Sequence, residues 1–447
     1  MNNLSKKDLG LVSLMLFSLF FGAGNLIFPP FLGQSAGANT WIAMAGFFIT
    51  AVGFPILGVV AVAKSKGLHS LAKRVNPVFA VVFTVLIYLA IGPGLGIPRA
   101  GSLPFEMAVA PYLSNTGISV PLARFLYTLV FFAVAFWLAS TPAKLVDRFG
   151  KILTPLLLTL IAIVFVASLF NPLGDYSQAT GDYATNPLVK GFLEGYQTMD
   201  TIAALNFGIV ISLAIKSRGI KEEKAVVKSS IKAGVIAGGL LIVIYSMLAH
   251  LGASSGGVFE MTENGAQTLT NVMTHIFGQP GAIFLAVIFT LACLTTSVGL
   301  ITSCSEYFGS LSNKVSYKQW VIILTVSSMI LANMGLTKIL AVSVPVLTAI
   351  YPIAIMLIVL AMINKFIKQS SVVYSTTLLF TGVVSVVDAL NQTGIAFTPL
   401  VELFSKLPLY GEGLGWLLPA VIGLVLGLLI KYLKQNSISE YMEKEVA

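Results

Sequence analysis

Charge is what this sequence has least of. Asp, Glu, Lys and Arg together make up 10% of its 447 residues, against the roughly 25% that covers the surface of a soluble domain. A water-facing globule is therefore excluded, and with 56% hydrophobic residues and a mean hydropathy of +0.91 the chain reads as built for lipid. Cysteine is nearly absent: Cys293 and Cys304 fall in or near one apolar run, so no disulfide framework is implied. The three histidines, His69, His250 and His275, are scattered without metal-ligand spacing. No constellation of His, Cys and acidic residues stands out, which argues against a metalloenzyme and against an enzyme of any kind. A ring-like filter motif is missing as well, which argues against a channel.

What the chain has in abundance is apolar runs of about 20 residues, the length that crosses a hydrocarbon core. Twelve are expected: 9–31, 41–63, 77–110, 122–140, 152–170, 191–215, 231–251, 281–303, 319–335, 340–363, 372–390 and 415–433. The first is too long for the core of a signal peptide and another span follows closely, so no cleavable leader is expected. The net charge of +9 would hint at nucleic acid in a soluble protein. Here its distribution reports topology instead. With a cytoplasmic N-terminus and twelve crossings, all of the 27 lysines and arginines fall on the inner side except Arg99, Arg124, Lys190, Lys338 and Lys406. That is the positive-inside pattern, with both termini in the cytoplasm and no nucleic-acid partner.

A long polar connection, residues 171–190, separates the first five spans from the next five. Five is odd, so the second set crosses with inverted orientation, an architecture used by many secondary transporters. The expected organisation is a first five-helix repeat at 1–170, an extracellular linker at 171–190, and an inverted second repeat at 191–363. Helices eleven and twelve with a cytoplasmic tail complete it at 364–447. The 29-residue segment 252–280, which has acids and no Lys or Arg, reads as an extracellular lid of short helices or as a passive loop.

Three spans are interrupted. FFGAGNLIFPPF, residues 20–31, sets Gly22, Gly24, Asn25, Pro29 and Pro30 inside the first span, poor material for a continuous helix. The sixth, GFLEGYQTMDTIAALNFGIVI, carries Asp200 well inside the membrane together with Thr198, Thr201 and Asn206. An ionised carboxylate there costs at least about 2.5–3.5 kcal/mol in lipid and so faces a cavity or a partner. A broken helix bares N–H groups at one half-helix and C=O groups at the other, tolerable in lipid only around a polar ligand. An amino acid zwitterion supplies both signs. The plain alternative is a Gly/Pro kink whose glycines serve helix contact. In the eighth span, Thr295, Thr296 and Ser297 either form with backbone carbonyls a neutral oxygen cage suited to sodium or bond back to carbonyls one turn earlier. The third span holds Pro93, Pro98, Pro104 and, seven residues apart on one helical face, Arg99 and Glu106. These two read either as an ion pair locking an irregular helix or as a gate or proton relay. Asp388, in the eleventh span, reads as a helix cap or a contact with another subunit.

GAGNLIFPP, the basic loop KSRGIKEEKAVVKSSIK, GYQTMDTIAALNFG and LACLTTSVGL together resemble the bacterial branched-chain amino acid:cation symporters, the BrnQ-type carriers, over essentially the whole chain. The resemblance implies an all-α polytopic protein of the bacterial cytoplasmic membrane with the LeuT-type 5+5 inverted repeat. Two C-terminal helices follow the repeat, and helices one and six are discontinuous. It implies L-leucine, L-isoleucine and L-valine as substrates, imported by alternating access with Na+ as coupling ion, or with H+, or by exchange, and no covalent cofactor. Carried over to this sequence, Ala23 and Gly24 offer N–H groups to the substrate carboxylate, with Asn25 beside them. Met199, Asp200 and Thr201 complete the substrate site, and Phe20, Met199, Ile202 and Leu205 are candidate walls. The Ala292 carbonyl, the hydroxyls of Thr295 and Thr296 and a carbonyl near Phe21 hold the sodium ion. For Asp200 three roles stay open: pairing the substrate ammonium, contributing to a second cation site, or carrying a proton.

Overall fold

The computed structural model describes residues 4–446 apart from 111–112, 114–116, 312–313 and 396–397; among the described residues there are helices and no strand. The principal helices are α1 (Lys6–Phe20), α2 (Ala23–Ala36), α3 (Thr40–Phe48), α4 (Phe54–Ser65), α5 (Pro77–Leu89), α6 (Gly96–Ala108), α7 (Val120–Ala139), α8 (Thr154–Phe170) and α9 (Pro187–Glu194). They continue with α10 (Asp200–Ser217), α11 (Glu223–Ser255), α12 (Gly265–Phe277), α13 (Gln279–Leu311), α14 (Tyr317–Ala332), α15 (Leu336–Met362), α16 (Ser371–Gln392) and α17 (Leu417–Val446). Ten continuous helical stretches are long and apolar enough to cross a membrane, which makes this a multi-pass membrane protein. Its outward faces agree. Val130, Trp137, Leu169 and Phe170 on α7 and α8 are exposed, an arrangement that lipid favours and water penalises.

Hydropathy located the spans, but helices do not stop where charge begins. The seventh span, expected at 231–251, is the 33-residue α11, which starts eight residues earlier at Glu223. In the sequence EKAVVKSS, Glu223, Lys224, Ala225 and Lys228 sit well in a helix, and the acidic Glu223 suits the positive end of the helix dipole. The run expected at 319–335 is the 16-residue α14, an apolar helix shorter than those ten.

The run expected at 9–31 is two helices. Gly22 takes an extended conformation (φ −120°, ψ −154°) between α1 and α2. Its N–H does not reach back to Ser18 as a continuing helix would require, but donates to the Asn25 side-chain oxygen at 3.0 Å. The run expected at 191–215 is interrupted as well. A 3₁₀ turn, Gly195–Thr198, leads into Met199 in the left-handed region (φ 67°, ψ 7°), and α10 starts at Asp200. A β-carbon-bearing residue there costs roughly 1–2 kcal/mol.

Three π turns interrupt other helices: Ile49–Gly53, Ala90–Gly94 and Phe149–Leu153. Such turns concentrate at functional sites. In the first, the Phe54 N–H bonds to the Ile49 carbonyl, and Pro55 has no N–H to give. The Thr50 carbonyl, left without a helical partner, accepts the Thr201 hydroxyl at 2.9 Å. The Thr50 hydroxyl donates to the Phe192 carbonyl at 2.7 Å.

Backbone contacts divide the chain into two units, residues 1–63 with 88–343, and residues 64–87 with 344–447. In the first, glycines bring helices to backbone contact. A β-carbon at Gly33 would overlap the Ala249 carbonyl, and one at Gly252 the Pro30 carbonyl, at the crossing of α2 and α11. Gly265 meets Ile27 in the same way, seating α12 on α2. The segment read as a lid or a passive loop thus contains this 13-residue helix between the end of α11 and the start of α13, and is tied down by Gln34. That side chain donates to the Glu260 carbonyl (3.1 Å) and accepts from the hydroxyls of Thr262 (2.6 Å) and Thr268 (3.1 Å). At the Lys6 end of α1, Arg218 bridges Asp8 (2.6 Å) and Asp147 (2.7 Å). Lys151 and Arg218 hold the Asp147 carboxyl below its ordinary value. In the second unit α16 packs along α17, with Gly423 and Gly427 against Thr376 and Thr377. There Asp388 has Gln392 as its polar neighbour one turn along its own helix.

Candidate functional site

Both helix breaks border one small, partly open cavity in the first unit. Its walls come from the end of α1 (Leu19, Phe20), the break and start of α2 (Gly22 to Asn25) and the third span (Ile91, Gly96, Arg99, Ala100). Thr198, Met199, Asp200 and Ala203 close it beside the second break, and Thr296 and Leu300 do so from α13. Its volume is about 30 Å³, room for about two water molecules.

The expected Ala23, Gly24, Asn25, Met199, Asp200 and Thr296 all line this cavity, as does the expected wall residue Phe20. Thr201 does not. It follows Asp200 by one residue, about 100° around the helix, and its hydroxyl is turned to Thr50. Ile202 and Leu205 are fully buried but lie off the cavity lining.

Asp200 is 2% exposed. Its carboxylate accepts from the Asn25 amide at 2.5 Å and from the Tyr245 hydroxyl at 3.1 Å, and Asn25 also donates to that hydroxyl. Asn25 is therefore held at both ends, its oxygen by Gly22 and its nitrogen by Asp200 and Tyr245. Tyr245, on α11, was missed from the sequence. The available signal was a lone tyrosine in an apolar span, whose hydroxyl must find a partner when buried.

Beside the cavity, oxygens from α1 and α13 converge. The Thr295 hydroxyl donates to the carbonyls of Ala292 (3.0 Å) and Ser18 (3.2 Å), and the Thr296 hydroxyl lies 3.4 Å from the same Ser18 oxygen. Gly22 is glycine because a β-carbon there would come within 2.7 Å of the Thr296 hydroxyl. Of the expected cation ligands, Ala292, Thr295 and Thr296 meet here, and the α1 oxygen that meets them is that of Ser18. The Phe21 ring stacks between Phe17 (5.1 Å) and Tyr245 (6.2 Å). Ser18 was legible in principle: Asn25 draws off the Gly22 N–H, and a helix interrupted there leaves the carbonyl four residues back unclaimed. A set of neutral hard oxygens with one carbonyl released from its helix fits a sodium ion.

Arg99 and Glu106 are not an ion pair. Two helical turns separate them by about 10 Å, and each finds a nearer partner. Glu106 pairs with Arg124 at 2.8 Å, both side chains partly exposed. Arg99, 3% exposed, donates to the Gln197 carbonyl at 2.9 Å and lies over the Phe28 ring, 5.1 Å from its centroid.

The family described as "Branched-chain amino acid transport protein" matches residues 5–434. The chain is 46% identical over 428 residues to the branched-chain amino acid permease BraB of Bacillus subtilis, covering 95% of this chain and 96% of that one. It is 44% identical over 428 residues to the branched-chain amino acid transport system 2 carrier protein of Pseudomonas aeruginosa, with the same coverage. Its fold is similar to that of MHP1, a nucleobase-cation-symport-1 family transporter solved in a closed conformation with bromovinylhydantoin bound. There the TM-score is 0.61 at 12% identity, over 96% of this chain and 93% of that one. The fold is thus LeuT-like, and the relatives are permeases and carriers, not enzymes. With a matched region that runs almost from end to end, the chain belongs to the branched-chain amino acid transport protein family.

Proposed function

We propose that this protein is a secondary symporter that imports leucine, isoleucine and valine down a sodium gradient across a bacterial cytoplasmic membrane, with both termini inside. In this reading the chain crosses twelve times. α1 with α2 forms a discontinuous first span, α9 with α10 a discontinuous sixth, and α14 the ninth, within two inverted sets of five followed by α16 and α17. The observation that carries it is the meeting of both helix breaks at one cavity, with the Ser18, Ala292, Thr295 and Thr296 oxygens converging beside it. The N–H groups at the start of α2 face the substrate carboxylate, and Asp200 faces the ammonium. Phe20, Ile91, Ala100, Ala203 and Leu300 surround the aliphatic side chain. Selection among the three substrates is shallow, since one methylene is worth about 1–3 kcal/mol. Sodium binding draws α1 toward α13, and coupling follows because ion and substrate both favour the closed arrangement over the open ones.

Replacing Thr295 and Thr296 together by alanine is expected to raise the sodium concentration for half-maximal leucine uptake about tenfold or more, a loss of about 1.4 kcal/mol. Unchanged sodium dependence in the double variant would retire the cation site. A second reading, proton coupling, is favoured by the buried Asp200 carboxylate with its Asn25 and Tyr245 partners. Proteoliposomes given a sodium gradient or a pH gradient separately decide between them. Leucine accumulation driven by sodium alone supports the proposal, and accumulation driven only by the pH gradient replaces it with the second reading.

A further inference from the structure

Among the described residues that line the cavity, Arg99 is the only cation and Asp200 the only acid. The two come from different spans and approach the cavity from different helices. Arg99 reaches it from α6, just past the π turn at Ala90–Gly94, where Gly92 leaves the helical conformation (φ −83°, ψ −123°). That irregular turn brings Ile91, Gly96, Arg99 and Ala100 to one wall.

The guanidinium sits across both breaks. One terminal nitrogen donates to the carbonyl of Gln197, in the last turn before Met199. The other lies so close to the start of α2 that a β-carbon at Gly24 would stand 2.7 Å from it. Gly24 therefore does more than loosen the backbone: its bare α-carbon admits the guanidinium to the N-terminal end of α2. Two sources of positive potential, a helix N-terminus and a permanent cation, thus share one end of the cavity.

Neither role that spacing alone offered Arg99 fits this position. It does not pair with Glu106, and a guanidinium releases no proton in proteins, so it cannot serve as a relay. The guanidinium is a planar fork whose shape matches a carboxylate.

We infer that Arg99 anchors the substrate α-carboxylate, clamping it together with the N–H groups of Ala23 and Gly24, while Asp200 takes the ammonium. This rests on the amino-acid-transport reading above and deepens it. The ligand class is an α-amino acid with a free carboxylate, and the corresponding amines are rejected because they offer the guanidinium no carboxylate to clamp.

The test is equilibrium binding to the purified full-length protein by isothermal titration, using leucine and isoamylamine, which is leucine without its carboxylate. Arg99→Gln keeps a side-chain N–H for Gln197. It is expected to weaken leucine roughly 30-fold or more while leaving isoamylamine within about twofold, so the preference for leucine collapses. Arg99→Lys keeps the charge without the fork and is expected to fall between Arg99→Gln and the parent. It also serves if the glutamine variant fails to fold. Leucine binding undiminished in the folded variant, or leucine and isoamylamine weakened by the same factor, overturns the inference while the transport reading stands. A parent protein that binds none of leucine, isoleucine and valine overturns both.

Discussion

Asp200→Ala is expected to abolish concentrative leucine uptake, lowering it by about a hundredfold or more, with the protein still present in the membrane. The carboxylate is the acceptor for the Asn25 amide and the Tyr245 hydroxyl. Removing it takes one acceptor from each of two buried donors, at about 1–3 kcal/mol each, and takes from the cavity the one acid among its described lining residues. Asn25 would then lose the contact that holds its amide, and with it the grip on the Gly22 N–H that keeps the first break open. Asp200→Asn separates charge from hydrogen bonding, since the amide oxygen still accepts. It is expected to preserve folding yet lose or uncouple accumulation. Uptake of radiolabelled leucine into proteoliposomes across a pH series, normalised to protein level, is the measurement. Normal accumulation by Asp200→Asn at every pH would reduce the residue to a structural one.

The second large effect is expected from Gly252→Val, which touches no cavity residue. α2 and α11 cross with their backbones in contact through Gly33 and Gly252, and a β-carbon at 252 would overlap the Pro30 carbonyl. A backbone oxygen cannot rotate aside as a side chain can, so the helices must separate. Overpacking costs about 1–3 kcal/mol where side chains can adjust, and here about 3 kcal/mol or more is expected. Gly239→Val, on the same helix but with nothing within 4 Å of its β-carbon position, is the control. It should be neutral or slightly stabilising, because glycine is the poorer helix former. Thermal unfolding followed by size-exclusion chromatography in detergent compares the two. Equal midpoints would remove the backbone crossing as a source of stability.

These expectations show which links the sequence carries by itself. Apolar runs located the membrane helices because burial in lipid is a property of each segment alone. The interruption at Gly22 and the strained joint next to Asp200 were legible for a related reason: glycine, proline and an acid inside an apolar run are locally costly wherever they occur. Partners across helices were another matter. Spacing on one helix put Arg99 and Glu106 on a common face, but side chains there answered to Gln197 and Arg124 on other segments. Tyr245 lies 45 residues beyond Asp200, and no periodicity joins them. Thr201 was misassigned because adjacency in sequence is divergence on a helix: its neighbour faces the cavity and it faces Thr50. The Ser18 oxygen falls between these cases, since its release follows from local hydrogen-bond accounting once the side-chain partner of Gly22 is known.

Thr50 sets a condition on how the sixth span can flex. Its hydroxyl holds Phe192, ahead of the left-handed residue, and its carbonyl receives Thr201, behind it. A single residue on a neighbouring helix therefore fastens both arms of the joint. The arms cannot swing apart smoothly. Any motion that changes the separation of Phe192 and Thr201 must first snap one fastening, so the joint behaves as a detent, with a resting position and a threshold. On the transport reading, the rate of cycling is expected to depend in part on a threonine that does not line the cavity.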